Sequence, residues 1–158
     1  MRKVTRLTAL AAVLVVTATF TMAQETKFLQ LAAVPEVQMV RPSDSIEGLR
    51  LSIWGENQDM TGLDLGIINQ TRGDWQGVGW DVISMIDGDA RGVLWDWFGY
   101  GRISGDFTGW HLSFIYTHLQ GNTTGLQSGL VCRTREDTTG VQIGAYTETR
   151  GHIGGVQA

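Results

Sequence analysis

Between residues 45 and 158 the chain repeats one pattern: a glycine, then apolar side chains at every second position, then a short polar stretch. The glycines are Gly48, Gly62, Gly77, Gly92, Gly109, Gly125, Gly140 and Gly155, spaced by 14, 15, 15, 17, 16, 15 and 15 residues. One residue after them stand Leu49, Leu63, Val78, Val93, Trp110, Leu126 and Val141; three after them, Leu51, Leu65, Trp80, Trp95, Leu112, Ser128 and Ile143. Five after them come Ile53, Ile67, Val82, Trp97, Phe114, Leu130 and Ala145, so Ser128 is the single polar residue in these three columns. A period of two with one apolar side predicts a strand in every unit, with these columns facing the core. The residues between them, among them Asp64, Asp81, Asp96, His111, Gln127 and Gln142, are then expected to face outward.

Alternation stops at the sixth position, where Trp54, Ile68, Ile83, Phe98, Ile115, Val131 and Tyr146 set a second apolar residue beside the fifth. That doubling predicts a corner or bulge. The phrases before the glycines, such as DMTG, DWQG, DARG and DFTG, place an Asp three residues ahead of Gly. Asp suits a turn that bonds backbone amides, and Gly suits positive φ or a close backbone approach. Near-identical turns at equal intervals predict an all-β fold, a parallel β-solenoid of about seven coils of 14–17 residues, with equivalent positions stacked. The alternative is an antiparallel meander or barrel. Seven coils at about 4.8 Å each make a rod of roughly 35 Å.

Residues 1–23 stand apart. Arg2, Lys3 and Arg6 precede an uncharged run from Leu7 to Phe20, followed by Thr21-Met22-Ala23. This predicts a secretory signal peptide cleaved after Ala23, and an exported chain, periplasmic, outer-membrane-associated or extracellular, with no transmembrane helix after cleavage. Residues 24–44, with Pro35 and Pro42 and no repeat, are expected to form a leader or N-terminal cap ahead of the 45–158 repeat domain. The repeat breaks off early in an eighth unit, Gly155-Val156-Gln157-Ala158. A domain truncated at its C-terminal edge, with end-to-end self-association through the open coil, is therefore expected.

Charge narrows the partners. Loss of Arg2, Lys3 and Arg6 leaves 9 of 12 basic residues against all 16 acidic ones, a net of −7 that disfavours nucleic acid. Cys132 is the single cysteine, which rules out an internal disulfide and suits a small buried hydrophobe.

The stretches GLRLSIWGENQDMTGLDLGIINQT, TTGLQSGLV and TTGVQIGAY resemble the bacterial surface repeat-containing proteins first noticed in leptospires, whose units read like GLQIGLVN. The resemblance covers about residues 46–158 and implies a surface or envelope location without an assigned activity. The units around Val93–Phe98 and Trp110–Leu112 depart from it with bulkier or charged residues.

Two constellations are candidates for chemistry. Asp59, Asp74, Asp89, Asp106 and Asp137, interrupted by Asn122, would form a carboxylate row in a stacked solenoid. Such a row suits calcium, or else it is a turn cap repeated with its turn. Asp81 and Asp96, expected outward in adjacent coils about 5 Å apart, match the carboxylate separation of retaining glycosidases, while Trp80, Trp95 and Trp97 beside them are expected inward. His111 is a third candidate binding residue. His111, His118 and His152 lack zinc-ligand spacing, and no nucleotide or hydrolase motif occurs, so no cofactor is expected. The expectation is an exported, non-enzymatic repeat protein with a structural, adhesive or partner-binding role. The alternative is a glycan-binding or glycan-active protein using Asp81 and Asp96.

Overall fold

The computed structural model describes residues 24–158, so the expected signal peptide lies outside the described residues. The strands are β1 (Thr26–Val34), β2 (Val37–Gln38), β3 (Ser45–Asn57), β4 (Met60–Thr71), β5 (Trp75–Ile86), β6 (Ala90–Ile103), β7 (Phe107–Ser113), β8 (Tyr116–Leu119), β9 (Thr123–Ser128), β10 (Val131–Thr134), β11 (Thr138–Ile143), β12 (Tyr146–Thr149) and β13 (Ile153–Gln157). They form a parallel β-solenoid. One side runs β13-β11-β9-β7-β6-β5-β4-β3-β1, about 9 turns where about seven coils were expected. The small excess arises because β1 adds a turn ahead of β3, pairing Thr26–Ala32 with Ser45–Ser52, and β13 adds one after β11. A short hairpin, β1 with β2, supplies the antiparallel pairing among the described residues.

Each coil has two arms. In the first, the glycines pair directly from coil to coil, Gly48 with Gly62, Gly62 with Gly77, and onward to Gly140 with Gly155. Seven of them, Gly48 through Gly140, have φ between 125° and 150°, where an L side chain is strained. Each also passes so close to the carbonyl of the preceding rung that a Cβ would overlap it. Ladder pairing lapses near Ile53 and Ile67, and the second arm begins at Trp54, Ile68, Ile83, Tyr100, Tyr116, Val131 and Tyr146. The predicted corner is there. β6 carries the longest coil, because Val82 alone stands opposite Trp97, Phe98 and Gly99. Gly99 is required at that bulge because its Cα lies against the Val82 carbonyl.

The facing of the first arm is the reverse of the expectation. Asp81, Asp96 and His111 are 0–1% exposed, whereas Trp80, Trp95 and Trp110 are 47–58% exposed. The physical reason is what the second arm sets opposite these columns. Asn69, Thr71, Thr117, Thr134 and Thr149 of the second arm hydrogen-bond the inward Asp64, Asp81, Arg50, Gln127 and Gln142, so the polar columns are satisfied inside. Inside stand small or hydrogen-bonding residues, and a large one is admitted where its neighbour is small: a Cβ at Gly79 would meet the Trp75 ring at 3.0 Å.

An apolar core survives at a different position, two residues before each glycine. Ile46, Met60, Trp75, Ala90 and Phe107 stack there, against Ile86, Ile103 and Leu119 of the second arm. Val40 joins this cluster, and its N–H and C=O both bond the buried Gln30 amide of β1. Cys132 is buried, with its thiol directed at the Ile143 carbonyl at 3.3 Å, and burial pushes that thiol's pKa up. No helix among the described residues is long and apolar enough to cross a membrane.

Candidate functional site

The inward column of the first arm reads Gln30, Arg50, Asp64, Gly79, Leu94, His111, Gln127, Gln142 and Gln157. Buried as they are, the polar members each need a partner. Arg50 meets Asp64 through both Nε, at 2.7 Å, and one terminal nitrogen, and it also donates to the Gln70 carbonyl at 3.2 Å. The Asp64 carboxylate further accepts from Asn69 Nδ2 at 2.7 Å and from the Trp75 indole at 3.1 Å. Asn69 also donates to Asp81 Oδ1 at 2.6 Å, carrying the network into the next coil. Farther along, His111 Nε2 lies 2.7 Å from Asp96 Oδ2. Then Gln142 donates to Gln127 and Gln157 to Gln142, both at 2.8 Å, a polar ladder that any number of identical rungs continues.

Asp81, Asp96 and His111 are therefore brought near one another, but inside the rod. The outward placement of Asp81 and Asp96 is corrected, and a glycan cannot reach carboxylates at this depth. Asp81 Oδ2, like Asp96 Oδ1 and His111 Nδ1, has no hydrogen-bond partner, and burial first, then the neighbouring Asp64 charge, raises the Asp81 pKa well above the ordinary value. A carboxyl whose folded pKa lies above its unfolded value contributes most below the unfolded pKa, and that contribution is lost as pH rises through the folded one. Stability should thus fall with pH from about pH 4 upward for this group. Asp81→Asn removes the charge while keeping the acceptor, so its urea midpoint at neutral pH should exceed the wild type's, with a flatter pH slope above pH 4. An unchanged slope would show that Asp81 is not the group responsible.

The Asp column lies on the outer turn. Each side chain accepts from the backbone N–H one coil on: Asp74 N to Asp59 Oδ1 at 2.9 Å, Asp89 N to Asp74 at 2.9 Å, Asp106 N to Asp89 at 2.8 Å, Asn122 N to Asp106 at 2.8 Å. Asn122 continues the ladder because its amide oxygen also accepts, here from Asp137 N at 3.3 Å. The four carboxylates line a groove of about 590 Å³ with Thr61, Gln76 and Arg91. Among the described residues no group of three or more acidic, His or Cys side chains is arranged to hold a metal ion. The carboxylates are spread along the rod, and one oxygen of each is committed to an amide.

What the first arm presents to solvent is apolar. The columns one, three and five residues after each glycine, expected to be core, form its outer face, from Leu31 through Leu63, Val78 and Trp110 to Ile143 and Val156. In its middle Trp80, Trp95 and Trp97 stack, with centroids 5.7–5.9 Å apart and planes within 13°. Trp97 joins them because the β6 bulge carries it outward. The three centroids form a near-equilateral triangle, so the rings pack side by side as well as face to face and make one aromatic patch. Nine rungs at about 4.8 Å, three alternate positions wide at 3.3 Å per residue, give a face on the order of 700 Å², beyond the usual largest apolar patch of a monomer. The alternation names these residues correctly as one surface. Only their burial distinguishes core from face.

No family model, no curated protein and no solved structure matches the chain.

Proposed function

We propose that this chain is an exported, non-enzymatic repeat scaffold of the cell surface or envelope, and that it works by laying its apolar sheet face against the same face of a second copy. The observation that carries the proposal is the exposure of three apolar columns along the whole rod. Roughly 700 Å² from each copy falls within the standard interface class of 1,200–2,000 Å² in total. A flat, regularly ribbed face is also self-complementary, since a twofold axis brings identical rows into register and sheets pack face to face about 10 Å apart. The export reading rests on the N-terminal pattern and on the resemblance to surface repeat proteins.

Sedimentation of the mature chain should give a dimer at micromolar concentration. Trp80→Glu/Trp110→Glu places charges at two rungs of the face while leaving the interior untouched, and should give a monomer with an unchanged far-ultraviolet spectrum. A wild-type monomer, or a double variant that still dimerises, would overturn the proposal.

A further inference from the structure

The second arm carries a different surface. There the column Tyr100, Tyr116, Val131, Tyr146 runs beside the column Arg102, His118, Arg133, Glu148, in register from coil to coil. Tyr100 and Tyr116 stack at 5.5 Å with planes 8° apart, and the His118 ring lies near-parallel to Tyr116, at 6.0 Å with planes 9° apart. The Tyr116 hydroxyl and His118 Nδ1 are 3.1 Å apart. Together with Arg102, Gln120 and Arg135 these side chains line a groove of about 500 Å³.

This groove is a cationic place on an acidic protein. Two guanidiniums, Arg102 and Arg135, line the groove, and burial first, then the charges of Arg135, Arg133, Arg102 and Arg150, hold the His118 pKa below its ordinary value. The nearby carboxylates answer only part of that charge: Asp87 pairs with Arg102, and Glu148 is shared by Arg133 and Arg150 at 3.2 Å each. Arg135 makes no ion pair among the described residues, although its neighbour Glu136 is exposed. An uncompensated guanidinium at an open groove with neutral donors beside it, the Tyr hydroxyls and the Gln120 amide, matches a ligand that carries both carboxylates and hydroxyls.

We propose that the groove lined by Tyr100, Arg102, Tyr116, His118, Gln120 and Arg135 binds an acidic oligosaccharide, with Arg102 and Arg135 on its carboxylates and the tyrosine hydroxyls and Gln120 on its ring hydroxyls. Arg102 and Arg135 stand two rungs apart, about 10 Å along the rod, with His118 and Gln120 on the rung between, so carboxylates on alternate sugars meet the two guanidiniums. Nucleic acid fits less well. Its bases need free aromatic faces, and the facing sides of Tyr100 and Tyr116 are spent on each other. This site is on the arm away from the apolar face and stands whether or not that face dimerises.

Calorimetric titration of the full mature chain with hexagalacturonate tests it, with monomeric galacturonate, a neutral galactose hexasaccharide and hexaadenylate as the other probes. Hexagalacturonate should bind at least tenfold more tightly than either the monomer or the neutral hexasaccharide, and added salt should weaken it. Arg102→Gln/Arg135→Gln should lose about tenfold or more, as removal of two charge-assisted hydrogen bonds requires. Arg72→Gln, which breaks an exposed pair with Glu56 at another turn, should bind like the wild type. No binding of hexagalacturonate, equal binding of the neutral hexasaccharide, equal or tighter binding of hexaadenylate, or an unaffected double variant each overturns the proposal.

Discussion

Gly77→Ala should cost about 4 kcal/mol or more and break the rod at its centre. Gly77 has φ +146°, in a region that L residues avoid, which alone costs about 1–3 kcal/mol. The larger contribution is contact. An alanine Cβ would lie 2.8 Å from the Gly62 carbonyl carbon and closer still to its oxygen, and both belong to backbone already paired in the ladder. No side chain can move aside, so the rungs must separate locally. Because each coil of a solenoid touches only its neighbours, the loss should appear in urea as a broadened or split transition of the mature chain. Gly154→Ala is the matched control: its nearest contact is Thr139 Oγ1 at 3.6 Å, and a change within about 0.5 kcal/mol is expected. A Gly77→Ala penalty below about 1 kcal/mol would mean that the rungs are not stacked through their glycines.

Arg50→Met is the second large effect, expected at about 3–5 kcal/mol. The substitution fits the space of the side chain but leaves the Asp64 carboxylate 1% exposed with its charge unpaired. Asn69 and Trp75 still donate to Asp64, which moderates the loss without supplying a counter-charge. Arg50→Met/Asp64→Leu removes both charges and should recover part of the stability, since a buried pair is often replaced by apolar residues at little net cost. Recovery should be incomplete, because Asn69 Nδ2 and the Trp75 indole each lose an acceptor. Urea denaturation of the two variants decides the matter. A single variant that loses under about 1 kcal/mol would place the pair in solvent, as surface pairs behave.

The ladder itself was legible without coordinates. Gly62, Gly77 and Gly92 could serve no other repeated purpose at that spacing, and the Asp at the turn was readable as a cap, as the Asp59 to Asp74 bond bears out. The bulge in β6 was foreshadowed by the 17-residue interval between Gly92 and Gly109. Less legible was the buried network. Arg50 and Asp64 read as ordinary solvated charges on a polar column, and nothing local shows that they occupy adjacent rungs facing inward. The core column of Ile46, Met60, Trp75 and Phe107 was hidden for a related reason. Its members change from Ile to Trp to Ala to Thr, so no constant residue type marks the column, and the fit of each depends on the rung beside it. The cationic groove was hidden too, since Arg102, His118 and Arg135 meet only after three coils are stacked.

By itself, the sequence determined the period and the corner in each coil and favoured parallel stacking over an antiparallel meander, because these follow from repeated local chemistry: a glycine that suits a close backbone approach, an Asp that suits a turn cap, and a strand of alternating side chains. A period of two separates a strand's residues into two faces, but it is symmetric with respect to which face lies inside. Only the tertiary structure decided that. The second arm sets Asn69, Thr71, Thr134 and Thr149 opposite the inward Asp, Arg and Gln side chains, so the polar columns find their hydrogen bonds inside and the apolar columns of the first arm stand outward.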